Sequence, residues 1–356
     1  MTRGAALDPE TDEPGPVPAT VEDTNRPIVV VGAHGQSLFM HVAAIPREGE
    51  TVVASGFEET ADGGKATNQA VAAARYGAPV RFVSVVGSDE RGRRILNYLD
   101  LERVDRRWVE VVEGSTDLAF VMLSPRGIPA IATCSDLSAR LDGSFVRRAA
   151  RAIDGASIVV CQLEAPPACA QAAFELARGA GALTVFNPAP MVPLPRGLLE
   201  LADVLVPNEH EAAALVGAEV PPADLARRLA DMVPTAKVIV TAGEAGAFLA
   251  SAGEPSLHIE APRVAAVDTT GAGDAFVGVL SACLREGMTL AEAATCAVSA
   301  AALSVTRPGT LDAFVGRETV AAAQTRSAAQ SVAIRDGSGS RPGSLERWPG
   351  STAEEE

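Results

Sequence analysis

The chain has 356 residues, of which 47% are hydrophobic and 4% aromatic, and a formal net charge of −15. That length holds one large α/β domain or two smaller ones, and the acidic balance leaves no basic face for nucleic acid. No apolar run approaches the ~20 residues that cross a bilayer. The acidic, Pro-rich start lacks the basic and apolar parts of a signal peptide, so no membrane partner is expected and the expected location is cytoplasmic.

Residues 1–26 and 336–356 carry too little apolar surface to offset ordering entropy and are expected to be disordered tails. Residues 27–335 are expected to form the folded unit. Within it the β-rich runs PIVVVGA (27–33), VRFVSVVG (80–87), SIVVCQL (157–163), LTVFNPA (183–189), DVLVPN (203–208) and KVIVTAG (237–243) recur along the chain. Between them lie the helical patterns ATNQAVAAARYG (66–77), ERGRRILNYLD (90–100) and ACAQAAFELARGAG (168–181). Strands that are apolar throughout and separated by helices predict a three-layer α/β/α sandwich with a mostly parallel central sheet.

Two segments, about 46–63 and 118–134, break this rhythm. The second reads as a hairpin turning at SPRG, and both suit a small antiparallel β lid; the alternative is edge strands of the main sheet. Five Cys, at 134, 161, 169, 283 and 296, include no CxxC pair and predict buried, reduced thiols, not zinc ligands or disulfides.

The chemistry concentrates in DTTGAGDAFVGVL, Asp268 to Leu280. Gly271, Ala272 and Gly273 leave the backbone uncovered where a helix begins at about Asp274, and unpaired N–H groups with the helix dipole behind them make an anion cradle. A carboxylate beside such a cradle is suited to accept the proton of an attacking hydroxyl, which predicts phosphoryl transfer to an alcohol. Taken alone, Asp274 is as well explained as a helix cap. A dinucleotide loop needs a third glycine where Phe276 stands, which disfavours a NAD-dependent oxidoreductase, and no GxxxxGK[ST] run is present.

GGKATNQAVAAARYGAPVRFVSVVG (63–87) and DTTGAGDAF (268–276), in this order, resemble the two motifs of the ribokinase-like, or PfkB-type, carbohydrate kinases, over about residues 27–320. PREGET (46–51), QLEAP (162–166), NPAP (187–190), PNEHE (207–211), VTAGEAG (240–246) and VTRPG (305–309) are similar to the ribokinase branch of that family.

The resemblance implies an ATP-dependent, Mg²⁺-requiring kinase acting on a primary hydroxyl of a small-molecule sugar, most closely a pentose kinase. Asp274 is then the base and Gly271, Ala272 and Gly273 the anion hole. Asn208, Thr241, Ala242, Gly243, Glu244, Ala245, Gly246 and Gly273 are then at the nucleotide. Asn208 and Glu211 organise Mg²⁺ through water, since a hard cation held by water and phosphate needs few protein oxygens; read alone, Glu211 is a solvated acid at a helix start. Asp268, Thr270, Ser304, Arg307 and Gly309 match a potassium site, with Ala313 where the family has Ser.

Gly64, Lys65, Asn68 and Glu164, together with Asp274, match the sugar site; read alone, Asn68 satisfies nearby backbone and Lys65 lies in solvent. Gly35 and Ser37 stand where the family carries an Asn-x-Asp pair that binds sugar hydroxyls. Losing that acceptor weakens a site built around ribose by ~1–3 kcal/mol, which keeps other sugars, polyols and nucleosides open as acceptors. His34 or Gln36 is a candidate replacement; the plainer reading of His34 is a satisfied side chain at a strand end. A homodimer through the lid follows by analogy, and the rival of another class is a non-catalytic sugar-binding regulator of the same fold.

Overall fold

The segment Ile28–Val31 (β1) is apolar at all four positions because both of its faces are covered: Ile28 and Val30 join one hydrophobic cluster, Val29 and Val31 the other. The structure is a computed structural model and describes residues 26–59, 63–125 and 129–335. The expected tails, apart from Arg26, lie outside the described residues, as do 60–62 of the first lid segment and part of the SPRG turn. Arg26, placed in the tail by the sequence reading, instead bonds through its guanidinium to the Ala156 carbonyl, and its own carbonyl accepts from Arg285.

After β1 the chain runs through β2 (Gly35–Val42), β3 (Ala54–Glu59), α1 (Lys65–Arg75), β4 (Val80–Gly87), α2 (Glu90–Leu101), β5 (Asp105–Val112), β6 (Asp117–Leu123) and β7 (Pro129–Cys134). Then follow α3 (Gly143–Arg148), β8 (Ile158–Cys161), α4 (Pro167–Gly179), β9 (Leu183–Phe186), β10 (Val204–Leu205), α5 (Glu209–Val216), α6 (Pro222–Met232) and β11 (Lys237–Thr241). The last elements are β12 (Ala247–Ala250), β13 (Leu257–Ile259), α7 (Ala272–Arg285), α8 (Leu290–Ser304) and α9 (Arg317–Arg335).

Among the described residues the central sheet has nine strands in the order β13-β12-β11-β10-β9-β8-β1-β4-β5. Neighbours are parallel except for β11 with β12 and β12 with β13. Ala70 of α1, Leu99 of α2, Val279 of α7, Ala297 of α8 and Val320 of α9 cover one face. Phe145 of α3, Phe174 of α4, Ala212 of α5 and Leu229 of α6 cover the other. This is the expected three-layer sandwich, and Val279, bulkier than the family's usual residue there, is fully absorbed in the core.

The small sheet has the order β3-β2-β6-β7. Its outer pairs are antiparallel, as expected of the lid, but its central pair, β2 with β6, is parallel and begins at Gly35 opposite Asp117. Two further corrections apply to the lid. Residues 46–53 form loop, with the strand starting at Ala54, and Gly35–Val42, not assigned to the lid from sequence, is one of its two middle strands. After Val31 the chain leaves the main sheet, and β2 pairs on one side with β3 and on the other with β6, more than eighty residues on; no local pattern encodes that second pairing.

Candidate active site

The small residues of α1 let α7 approach closely. A methyl group on Gly278 of α7 would come within 2.6 Å of Ala72 Cβ and 2.7 Å of the Gln69 carbonyl oxygen, so the two helices touch backbone to backbone. This contact sets the first turn of α7 against the first turn of α1. The turn into α7 depends on Gly271, whose φ is +76° and whose substitution by any larger residue would overlap Thr310 Cγ2. Gly273 faces open space, leaving room beside the helix end.

Asp274 is 5% exposed, and its carboxylate reaches across to α1. Oδ2 accepts from Asn68 Nδ2 at 2.8 Å and Oδ1 from Gln69 Nε2 at 2.9 Å. Both oxygens therefore engage α1, which disposes of the reading in which Asp274 merely caps its own helix. Gln69 Nε2 also donates to Asn187 Oδ1 at 3.0 Å, Asn187 Nδ2 donates to the Val206 carbonyl at 2.8 Å, and Gln162 donates to Gln69 Oε1. Sequence reasoning named none of Gln69, Gln162 and Asn187 as site residues. Their signal was present, since Gln69 adjoins Asn68 and the other two open QLEAP and NPAP.

Lys65, Asn187, Asn208, Glu211, Thr241, Gly273 and Asp274 line one cavity of about 260 Å³. Lys65, expected at the sugar site, shares this cavity with Asp274 and Glu211 and is partly buried, which removes the reading that leaves it in solvent. The Asp274 charge holds its ammonium above the ordinary value against the opposing effect of burial, with Glu164 and Glu211 adding to it. Glu164 accepts from the Lys65 backbone N–H at 2.6 Å. Burial pushes its carboxyl up to about 7; Lys65 opposes this and the Asp274 charge adds to it.

Asn208 and Glu211 form a capping box at the start of α5, each side chain accepting from the other's backbone N–H at 2.8 Å. The motif therefore builds the helix start and also lines the cavity. Glu211 is 9% exposed, so it is not the solvated acid of the plainer reading, and burial raises its carboxyl above the ordinary value.

Thr241 ends β11 in a bridge to Asn208, and Ala242 to Gly246 turn the chain into β12. Gly246, at φ +89°, is packed against the backbone of residues 259–261, whereas Gly243 to Ala245 are exposed. Asp268 joins two loops by accepting from Thr270 N at 2.9 Å and Gly309 N at 3.0 Å; Ser304 is buried at the end of α8, and its carbonyl accepts from the Arg307 N–H.

Gly35 and Ser37 sit on β2 in the lid and are not among the residues walling the Asp274 cavity. A side chain on Gly63 would overlap the Gly35 carbonyl, and one on Gly64 would reach within 2.7 Å of the Ala33 carbonyl, so the double glycine lets the α1 entry lie flat on the start of the lid. His34 is satisfied through Nδ1 and Thr67 Oγ1 at 3.0 Å, and Gln36 donates to Glu59 at 3.2 Å. All five cysteines are free, although Cys134 on β7 is exposed, unlike the buried Cys161, Cys169 and Cys283.

A sheet of this order, a small lid and a carboxylate at a helix entry define a sugar-kinase-type phosphotransferase fold. The model of the pfkB family carbohydrate kinases matches residues 26–315, and the chain belongs to that family. It is 34% identical over 295 residues to a ribokinase of Schizosaccharomyces pombe, covering 79% of this chain and 92% of the relative. It is 32% identical over 293 residues to a deoxyribokinase of Salmonella typhi, covering 81% and 95%. The crystal structure of an Arabidopsis thaliana ribokinase complexed with ribose and ATP superimposes with a TM-score of 0.78 at 28% identity, covering 84% of this chain and 98% of that one.

Proposed function

We propose that this protein transfers the γ-phosphoryl group of ATP to a primary hydroxyl of a pentose, with Asp274 as the base. The observation that carries this reading is the Asp274 carboxylate held by Asn68 and Gln69 at the entry to α7, on the wall shared with Lys65, Asn208 and Glu211. The similarity to a ribokinase and a deoxyribokinase supports a pentose acceptor.

The sugar lies between Gly64, Asn68 and Glu164 on one side and Asp274 on the other, under the lid strands that carry Gly35 and Ser37. Asp274 takes the hydroxyl proton as the oxygen attacks the γ-phosphorus, and the backbone at Gly271, Ala272 and Gly273 receives the charge developing on the phosphoryl oxygens. Lys65 offsets the surrounding acids and draws that phosphoryl group toward the acceptor. The nucleotide is held by the turn from Thr241 through Ala242, Gly243, Glu244 and Ala245 to Gly246. Closure of the lid excludes water, which would otherwise compete as acceptor.

The hard oxygen donors of Asn208 and Glu211 suit Mg²⁺ bound through water, where it would neutralise phosphate charge; among the described residues no cluster of three or more His, Cys, Asp or Glu offers a full protein cage. The loops of Asp268, Thr270, Ser304, Arg307 and Gly309 are the residues that would hold K⁺. A homodimer through the lid, where Phe57 and Ile131 are exposed, and a cytoplasmic location complete the proposal.

ADP release from Mg·ATP, with ribose, 2-deoxyribose, hexoses, polyols and nucleosides and with or without K⁺, tests the reading. Turnover on a pentose is expected. Turnover on nucleosides alone would replace the acceptor class, and none on any alcohol would overturn the kinase.

A further inference from the structure

The Gln69 amide has one orientation open to it, and a backbone carbonyl sets it. A carbonyl oxygen only accepts, so Asn187 must turn its NH2 to Val206 and its Oδ1 to Gln69. Gln69 must then present its own NH2 to Asn187, and the same nitrogen meets Asp274 Oδ1 at 2.9 Å. Its Oε1 is left facing the Gln162 donor. Gln69, Gln162 and Asn187 are 1%, 3% and 9% exposed, so solvent is not available to scramble the chain. An N–H aimed at Oδ1 occupies one of its lone pairs and favours its unprotonated form.

Asn68 is different. Its Nδ2 meets Asp274 Oδ2 at 2.8 Å, but its Oδ1 is buried and has no hydrogen-bond partner among the described residues. No partner opposes a turn of this amide that brings its oxygen to Oδ2.

We propose that Gln69 is a positioning residue that keeps Asp274 Oδ1 a permanent acceptor, so that Oδ2 takes the proton of the acceptor hydroxyl and Asn68 turns to receive the new O–H. This rests on the reading of Asp274 as base. In the step, the alcohol O–H bond breaks while its oxygen bonds to the γ-phosphorus. The proton passes to Oδ2, and the β–γ bridging oxygen departs with the electron pair of its bond to phosphorus, as ADP. The charged groups that face Asp274 are Lys65 on α1, Glu164 beyond β8 and Glu211 on α5.

The test is the pH profile of kcat/KM for the sugar in the wild type, Gln69→Met and Asn187→Ala, with ATP affinity measured alongside. Removing the donor to Oδ1 disfavours the carboxylate, so the acid limb is expected to move to higher pH by about one pH unit in Gln69→Met. Asn187→Ala removes the lock on Gln69 and is expected to move the limb the same way by less; it decides the matter if Gln69→Met does not fold. Glu164, raised to about 7 in part by the Asp274 charge, also titrates in this range, so the profiles are repeated on a Glu164→Gln background, where a shift that persists reports on Asp274. Superimposable profiles with ATP affinity intact would overturn the positioning role. Retained turnover in Asp274→Asn would instead overturn the base on which it rests.

Discussion

Gly278 of α7 and Ala72 of α1 are packed so closely that a methyl group on Gly278 would stand 2.6 Å from the Ala72 Cβ. Ten residues of α7 are buried, so the helix has little freedom to retreat. Gly278→Ala is expected to cost about 1–3 kcal/mol by overpacking and to lower kcat by drawing Asp274 away from Asn68 and Gln69. Urea unfolding and steady-state kinetics on the same preparation measure both; unchanged kcat would mean that the helix contact does not set the site.

Asp274→Asn keeps the shape of the side chain and removes the base. Turnover is expected to fall by about 10²–10⁴-fold, with ATP affinity, read by calorimetry, nearly unchanged. Wild-type turnover in this variant would remove Asp274 from the mechanism.

The two glycines around the helix entry should part company on substitution. Gly271→Ala meets both a positive φ and Thr310, and is expected to destabilise the fold by about 1–3 kcal/mol. Gly273→Ala meets nothing within 4 Å and should leave the melting temperature intact while lowering kcat, because its methyl group enters the space assigned to the phosphoryl group. Equal melting temperatures for the two variants would contradict the packing described.

Glu164 binds its proton more tightly in the folded chain than unfolded, with its value raised from 4.5 to about 7. Its contribution therefore favours the fold least once both states are ionised: the penalty is absent below about pH 4.5, grows as pH rises, and is complete above pH 7. Glu164→Gln cannot ionise and should stabilise the protein by about 1–3 kcal/mol at pH 8, with little effect at pH 4.5. Chemical unfolding at the two pH values measures it; an equal effect at both would contradict the burial of a charged Glu164.

The lid strand β2 offers a route to the acceptor. A Cβ at Gly35 meets Asp117 only at ordinary contact distances of 3.4 to 3.5 Å, so the backbone there admits the first atom of a side chain, and Gly35→Asn is combined with Ser37→Asp. The pair should raise the kcat/KM ratio of ribose over 2-deoxyribose by at least about tenfold, the worth of one hydrogen bond to a charged group. An unmoved ratio would place Gly35 and Ser37 outside the sugar site.

Much of the architecture was legible because burial on both faces leaves a direct trace in composition: β1 and β8 are apolar without alternation, and the helices between them carry periodic Ala and Leu. The helix entry at Gly271 was legible because small, flexible residues before a carboxylate mark a helix start, whether the carboxylate caps it or reacts there. The lid's parallel central pair and the β2 strand were not, since strand partners distant in sequence leave no local mark. Nor did spacing disclose that Lys65 shares one cavity with Glu211 of α5 as well as with Asp274.

Hydrophobic period and backbone freedom are properties of short segments, so the layered sheet and the helix start at Asp274 could be read along the chain, and the two motifs at 63–87 and 268–276 carried the family. That Asp274 spends both oxygens on α1, with Gln69, Gln162 and Asn187 standing behind it, emerged from the packing of distant segments. Hydrogen-bond direction depends on which donors and acceptors meet in space, and here the Val206 carbonyl, just past β10, orients amides drawn from three distant parts of the chain.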